Sequence, residues 1–204
     1  MKITILFEGQ TEKVFLPHLR LFLEAQLQGK MPKLSSLKFD GRIPKQGKLR
    51  RTVQNLFTGA KASDYVIALT DVYTGSNPPD FKNAEDAKQK MREWVGEEDR
   101  FYPHVALHDF EAWLLPYWPS IQKIAGHNKK APSSKPETVN HNKPPAYHIK
   151  EMFELGKSRD SYVKPRDANR ILNNKDLSVA VNACPELKAF VNTIISVCGG
   201  TLIK

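Results

Sequence analysis

At 204 residues, with 40% hydrophobic and 26% charged, the chain has the bulk of one domain, or of one domain with an elaborated tail, and too much apolar content for wholesale disorder. Its 31 Lys and Arg outweigh 22 Asp and Glu for a net charge of +9. No apolar run approaches the roughly 18 residues that cross a bilayer.

Cys184 and Cys198 are too few for a disulfide framework and fit no zinc knuckle, so they read as reduced thiols. The apolar start of the chain is cut by Glu8 before a signal-peptide core forms. Both features predict a cytoplasmic protein. The positive charge is concentrated. Residues 30–51 hold eight basic side chains (among them Lys48, Arg50 and Arg51) against Asp40 alone, and residues 116–204 hold 14 against 7 acids. Such clustering is the usual footprint of a polyanion partner, and by itself it reads equally as a solvated surface.

In chain order, Lys2–Phe7 reads as a strand that ends at Glu8-Gly9-Gln10-Thr11-Glu12, a turn and helix start. Phe15, Leu19, Phe22 and Leu23 mark one face of a helix that Pro17 is expected to kink or shorten. Leu37–Phe39 is a weak strand signal. Leu49, Val53, Leu56 and Phe57 predict a helix ending near Gly59, and Tyr65–Leu69 has the unbroken apolar pattern of a buried parallel strand. A charged helix over Ala84–Val95 and a strand over Phe101–Leu107 follow.

This alternation predicts an α/β core over residues 1–115 with a mostly parallel sheet and helices on both faces. Residues 116–145, with six prolines and no apolar period, predict a long Pro/Lys-rich surface excursion with few core contacts. Short helices over residues 146–204 are expected to pack back on the core, making a single domain overall.

Three predicted strands end in acids: Glu8, Asp71, and Asp109 with Glu111. Ligands of open parallel sheets bind beyond the carboxyl ends of the strands. Carboxylates gathered there make a hard oxygen-donor site suited to Mg²⁺ or Mn²⁺. Each acid alone reads more readily as a turn or helix cap; their coincidence carries the site. Beside basic segments, such a rim suits metal-assisted phosphoryl transfer on a nucleic acid.

Glu8-Gly9-Gln10-Thr11-Glu12 resembles the "EGxTE" opening of Toprim-type nuclease domains. Leu107-His108-Asp109-Phe110-Glu111-Ala112-Trp113 resembles the "LHEFEA" segment of one Toprim-like family, and Asp71-Val72-Tyr73-Thr74-Gly75 falls where that family carries "DxYG". The Tyr162-Val163-Lys164 and Cys184-Pro185 neighbourhoods resemble its C-terminal part more weakly. That family includes the Toprim effector of PARIS anti-phage systems, which is paired with an ABC-type ATPase.

The resemblance implies a Toprim/Rossmann-like sheet and a magnesium-dependent nuclease (a phosphodiester hydrolase) with Glu8, Asp71, Glu111 and Lys164 as catalytic residues. Glu8, Asp71 and Glu111, with Asp109 as a fourth, would hold the metal. Lys164, with Lys48 or Arg50, would steady phosphate charge. Where a Toprim domain has an Asp-x-Asp pair this chain has Tyr73, so one or two metals both stay open. The implied partners are DNA or RNA (tRNA included), an ABC-type ATPase and a second copy of the chain, with no membrane. The missing second Asp keeps a rival in view: a catalytically silent subunit that binds nucleic acid or an ATPase.

Other motifs carry less. Gly41–Lys48 has the wrong glycine spacing for a phosphate-binding loop. His104 and His108 fall on a predicted strand, where i and i+4 lie too far apart to share a zinc ion. Trp94, Trp113, Trp118 and Tyr117 could stack on bases, but such aromatics more often pack in a core.

Overall fold

A computed structural model describes residues 1–39, 41–72, 80–139, 143–156 and 161–204. Asp40 and the Tyr73–Gly75 end of the Asp71 motif lie outside them. Among the described residues, four strands, β1 (Lys2–Phe7), β2 (Lys33–Lys38), β3 (Tyr65–Val72) and β4 (Phe101–Leu107), form a sheet in the order β2-β1-β3-β4. Every pairing is parallel, with Ile3 opposite Leu34 and Tyr65, and Asp71 opposite Ala106.

Side chains alternate along each strand, so β1 sends Ile3, Ile5 and Phe7 to one face and Leu6 to the other. The first face is covered by α1 (Gln10–Leu27) and α8 (Pro185–Val197), with α6 (Lys164–Leu172) packed on α1 and α7 (Ser178–Ala183) on α8; the second is covered by α2 (Gln46–Leu56) and α3 (Ala84–Val95). This is the α/β fold that the sequence predicts. The chain moves from β1 outward to β2, then crosses back to β3 and on to β4. The gap between β1 and β3 is therefore the topological switch point, where such sheets bind ligands.

Two expectations are corrected. α1 runs unbroken from Gln10 through Pro17 to Leu27. Lys13, whose carbonyl loses its i+4 partner to Pro17, lies on the exposed side of the helix, where water can satisfy that group.

The 116–145 stretch is not all excursion. Residues 126–135 carry no regular element, but α4 (Trp118–Ala125) buries Trp118, Ile121 and Ala125 in the main core, and α5 (Pro145–Leu155) begins at the end of the stretch. The prolines mark helix starts here. α4, α5, α6 and α8 all carry Pro in the first turn, where the missing N–H costs no hydrogen bond. Among the described residues, no helix is long and apolar enough to cross a membrane.

The aromatic residues behave as packing. Trp113 stacks on Phe190 at 6.1 Å, Trp118 donates its indole N–H to the Lys129 carbonyl, and Tyr117 donates to the Asp176 carbonyl. His104 bonds Thr193 across the sheet face, and burial holds its pKa down near 3, so it is a neutral core histidine. Cys184 is buried and Cys198 partly so, both free thiols.

Candidate active site

The carboxyl edge of the sheet gathers the acids. Glu8 follows β1 directly, and its Oε1 accepts from the Thr70 hydroxyl and, at 3.3 Å, from the Asp71 amide on β3. The ends of β1 and β3 are thereby tied together across the switch point. Glu12 lies one helical turn on, at the start of α1. It accepts from the Gly9 amide at 3.1 Å, which is half of a capping box.

β4 delivers the remaining pair through a sharp bend. His108 sits in the left-handed region at φ 73°, and Asp109 opens an unusually long 3-10 helix over Phe110–Tyr117. Glu111, on its first turn, is 1% exposed. Both of its oxygens meet the Lys164 ammonium from α6, at 3.0 and 3.1 Å, and Tyr162 donates its hydroxyl to Oε1 at 3.2 Å. Asp109 is also buried: Oδ2 accepts from the Ala146 amide of α5 at 3.2 Å, whereas Oδ1 has no hydrogen-bond partner among the described residues.

The electrostatics show these groups crowding one another. Burial, only partly offset by the Thr70 hydroxyl and reinforced by Glu12, pushes the Glu8 carboxyl up to about 7. Asp109 rises to about 7 through burial and Glu111. Asp71 is pushed well above its ordinary value by burial and then by Glu8, Asp109, Glu12 and Glu111 in turn. Glu12 is raised by burial and by Glu111. Burial alone would lower Lys164, but Glu111 and Asp109 prevail and raise it. Burial and mutual repulsion thus raise Glu8, Glu12, Asp71 and Asp109, and the nearby cations Lys164 and Arg42 offset this only in part.

The structure thus brings Glu8, Asp71, Asp109, Glu111 and Lys164 into one electrostatic cluster. It does not bring Arg50. That guanidinium donates to the Val95 carbonyl at the end of α3, at 3.1 Å, on the amino side of the sheet. Lys48 is exposed on α2. The cation that acts on Glu8 from that flank is Arg42, which pairs with Asp80.

Glu12 and Thr70 lie within the sequence motifs or beside them, yet the pattern alone assigns them no role. The Ala146 amide gives no sequence signal, because backbone donors carry none.

The donor set is all oxygen and includes an orphaned buried Asp109 atom, which fits a hard divalent cation. It is not a preformed cage: among the described residues, no three His, Cys, Asp or Glu side chains are grouped to hold one ion. The residues that would hold it are Glu8, Asp71, Asp109 and Glu111.

The chain belongs to the family described as Domain of unknown function (DUF4276), which matches residues 7–195. Its fold is similar to the C-terminal region of the Burkholderia pseudomallei OLD protein, at 14% identity and a TM-score of 0.54, over 96% of this chain and 98% of that one. The C-terminal region of the Xanthomonas campestris pv. campestris OLD protein is similar at 12% identity and a TM-score of 0.50, over 97% and 93%. No curated protein matches the chain.

Proposed function

We propose that this chain is a Toprim-like nuclease domain that hydrolyses phosphodiester bonds in DNA or RNA with Mg²⁺ or Mn²⁺. The observation that carries the reading is the gathering of Glu8, Asp71, Asp109 and Glu111 at the carboxyl edge of the sheet, where burial and then the neighbouring carboxylates raise Glu8, Asp71 and Asp109. A fold that keeps several buried carboxylates together with too little counter-charge gives up stability for them. The chemistry such an ion supplies when bound is polarisation of a phosphoryl oxygen and a lowered pKa for water.

The chain's own groups fill the other roles. Glu8 has one oxygen fixed by Thr70 and the Asp71 amide, which leaves Oε2 to hold a proton near neutral pH. Lys164 reaches in from α6 with half of its side chain exposed, placed to neutralise a phosphate beside Glu111. Tyr162 fixes Glu111 from the other side.

Further parts of the reading rest on the family resemblance and the charge: cytoplasmic action in anti-phage defence, an ABC-type ATPase partner and pairing of two copies. A specific observation favours the silent-subunit alternative, namely that no three described side chains are poised on one ion. The test is cleavage of DNA and tRNA by purified chain with Mg²⁺ or Mn²⁺, alone and with the ATPase. Glu8→Gln and Asp71→Asn should each lower the rate by about 100-fold or more. Salt-sensitive binding with no cleavage under any of these conditions would hand the case to the silent subunit.

A further inference from the structure

The irregular 126–135 stretch forms an open cavity of about 720 Å³ against α4 and α5, with its lysines exposed at the mouth and a volume within the range of small-ligand sites. Three lysines line it (Lys129, Lys130 and Lys143) together with His148 and the flank of Trp118; the acid among the described lining residues is Glu151. Lys129 pairs with Glu151 at 2.6 Å, whereas Lys130 has no ion pair among the described residues. Lys143 lies over the Tyr147 ring at 5.3 Å.

The wall is built. The Lys129 carbonyl accepts from Trp118 Nε1 at 2.8 Å and from Gln122 Nε2 at 3.0 Å, and its amide donates to His127 Nδ1. A positive, partly apolar cavity of this size suits a phosphate joined to a flat ring.

Its position adds the link to the carboxylates. The first turn of α5 serves both places: Ala146 donates to Asp109, while Lys143, just before the helix, and His148, within that turn, face the cavity. Ala146 and His148 differ by only about 3 Å along the helix axis but lie about 200° apart around it, so a strand that serves both places passes round the start of α5.

We propose that this cavity takes one nucleotide unit of a nucleic-acid strand, its phosphate on Lys130 and Lys143, so that a neighbouring phosphodiester reaches the carboxylates. The proposal rests on the nuclease reading for its strand, but its test reads binding without cleavage.

The experiment measures binding of a labelled single-stranded oligonucleotide with divalent ions chelated. Lys130→Ala/Lys143→Ala should weaken binding roughly tenfold, the loss of charge-assisted contacts worth about 1.4 kcal/mol. The control is Lys123→Ala/Lys150→Ala, which removes the same charge from exposed positions outside the cavity and should weaken binding less than about twofold. Adenosine monophosphate should displace the oligonucleotide from the wild type more effectively than inorganic phosphate or adenosine.

Equal weakening by both pairs of substitutions would overturn the proposal in favour of a diffuse field. Adenosine monophosphate binding with oligonucleotide affinity unchanged in the cavity variant would overturn it in favour of a free-nucleotide site. If the cavity result holds and no preparation cleaves, the nuclease reading fails and the cavity assignment stands.

Discussion

Lys164 holds both oxygens of Glu111 across 53 residues of sequence, joining α6 to the turn that follows β4. Glu111 is almost wholly buried while the lysine is half exposed, so the pair is asymmetric. Removing the lysine strands a buried carboxylate; removing both leaves no stranded charge.

Lys164→Met should therefore destabilise the fold by about 1–3 kcal/mol, less than a fully buried pair because solvent already screens the ammonium. Adding Glu111→Gln should recover part of that loss in urea unfolding. A double variant as unstable as the sum of the singles would show that the pair does not couple.

A second expectation concerns pH. Glu8 and Asp109 stand near 7 in the folded chain against ordinary values of 4.5 and 3.8, so the folded state binds more protons than the unfolded one between those limits. Their stabilising contribution is full below the ordinary values and is lost as pH rises through about 7. His104 works the other way: with its folded pKa near 3, its contribution is present above 6.5 and lost as pH falls. With metal chelated, thermal stability should fall between about pH 6 and pH 8. Glu8→Gln should flatten that slope.

Gly156 ends α5 where its backbone meets the carbonyl of Ala125, the last residue of α4; a Cβ built there would lie 1.8 Å from that oxygen. Gly156→Ala must push the two helix ends apart and should cost about 1–3 kcal/mol or more. Because α5 also carries the Ala146 amide that holds Asp109, divalent-ion affinity should fall with stability. Melting temperature and ion titration on the same variant check both halves.

Polyanion binding should be steeply salt-dependent. About four neutralised phosphates give a duplex slope near −3.6 on a log–log plot. Lys48→Ala with Arg51→Ala should flatten it by up to about 0.9 for each phosphate that is no longer neutralised. Arg50 is a poor choice for this test, since it holds the Val95 carbonyl and its loss acts on the packing of α2 against α3.

The sheet is legible because its strands carry strong local signals. Tyr65–Leu69 is unbroken apolar sequence, and Ala84–Val95 and Phe101–Leu107 have the bounds the pattern predicts. β2 is only half visible, since an edge strand that buries Leu34 and leaves most of its neighbours partly or wholly exposed shows little alternation. α4 escapes a reading that takes every proline as a breaker, because Pro119 stands in its first turn.

The site divides in the same way. Acids at strand ends can be read from pattern, and Lys164 from a short C-terminal resemblance. Arg42 in place of Arg50 cannot, because which cation reaches the rim depends on how α2 docks rather than on charge density. The excursion's cavity is hidden for the same reason: Lys130, Lys143 and Trp118 meet only once α4 and α5 have packed.

The central claim is that Glu8, Asp71, Asp109 and Glu111 hold a divalent ion, and Mn²⁺ titration near pH 7 by calorimetry in buffers of different ionisation enthalpy tests it most directly. Glu8 and Asp109 titrate near that pH and must lose their protons to become ligands, so saturable Mn²⁺ binding should release protons. Asp71→Asn should weaken binding by about tenfold or more while the chain stays folded. Absence of saturable binding, or Mn²⁺ affinity and proton release unchanged in Asp71→Asn, would contradict the claim.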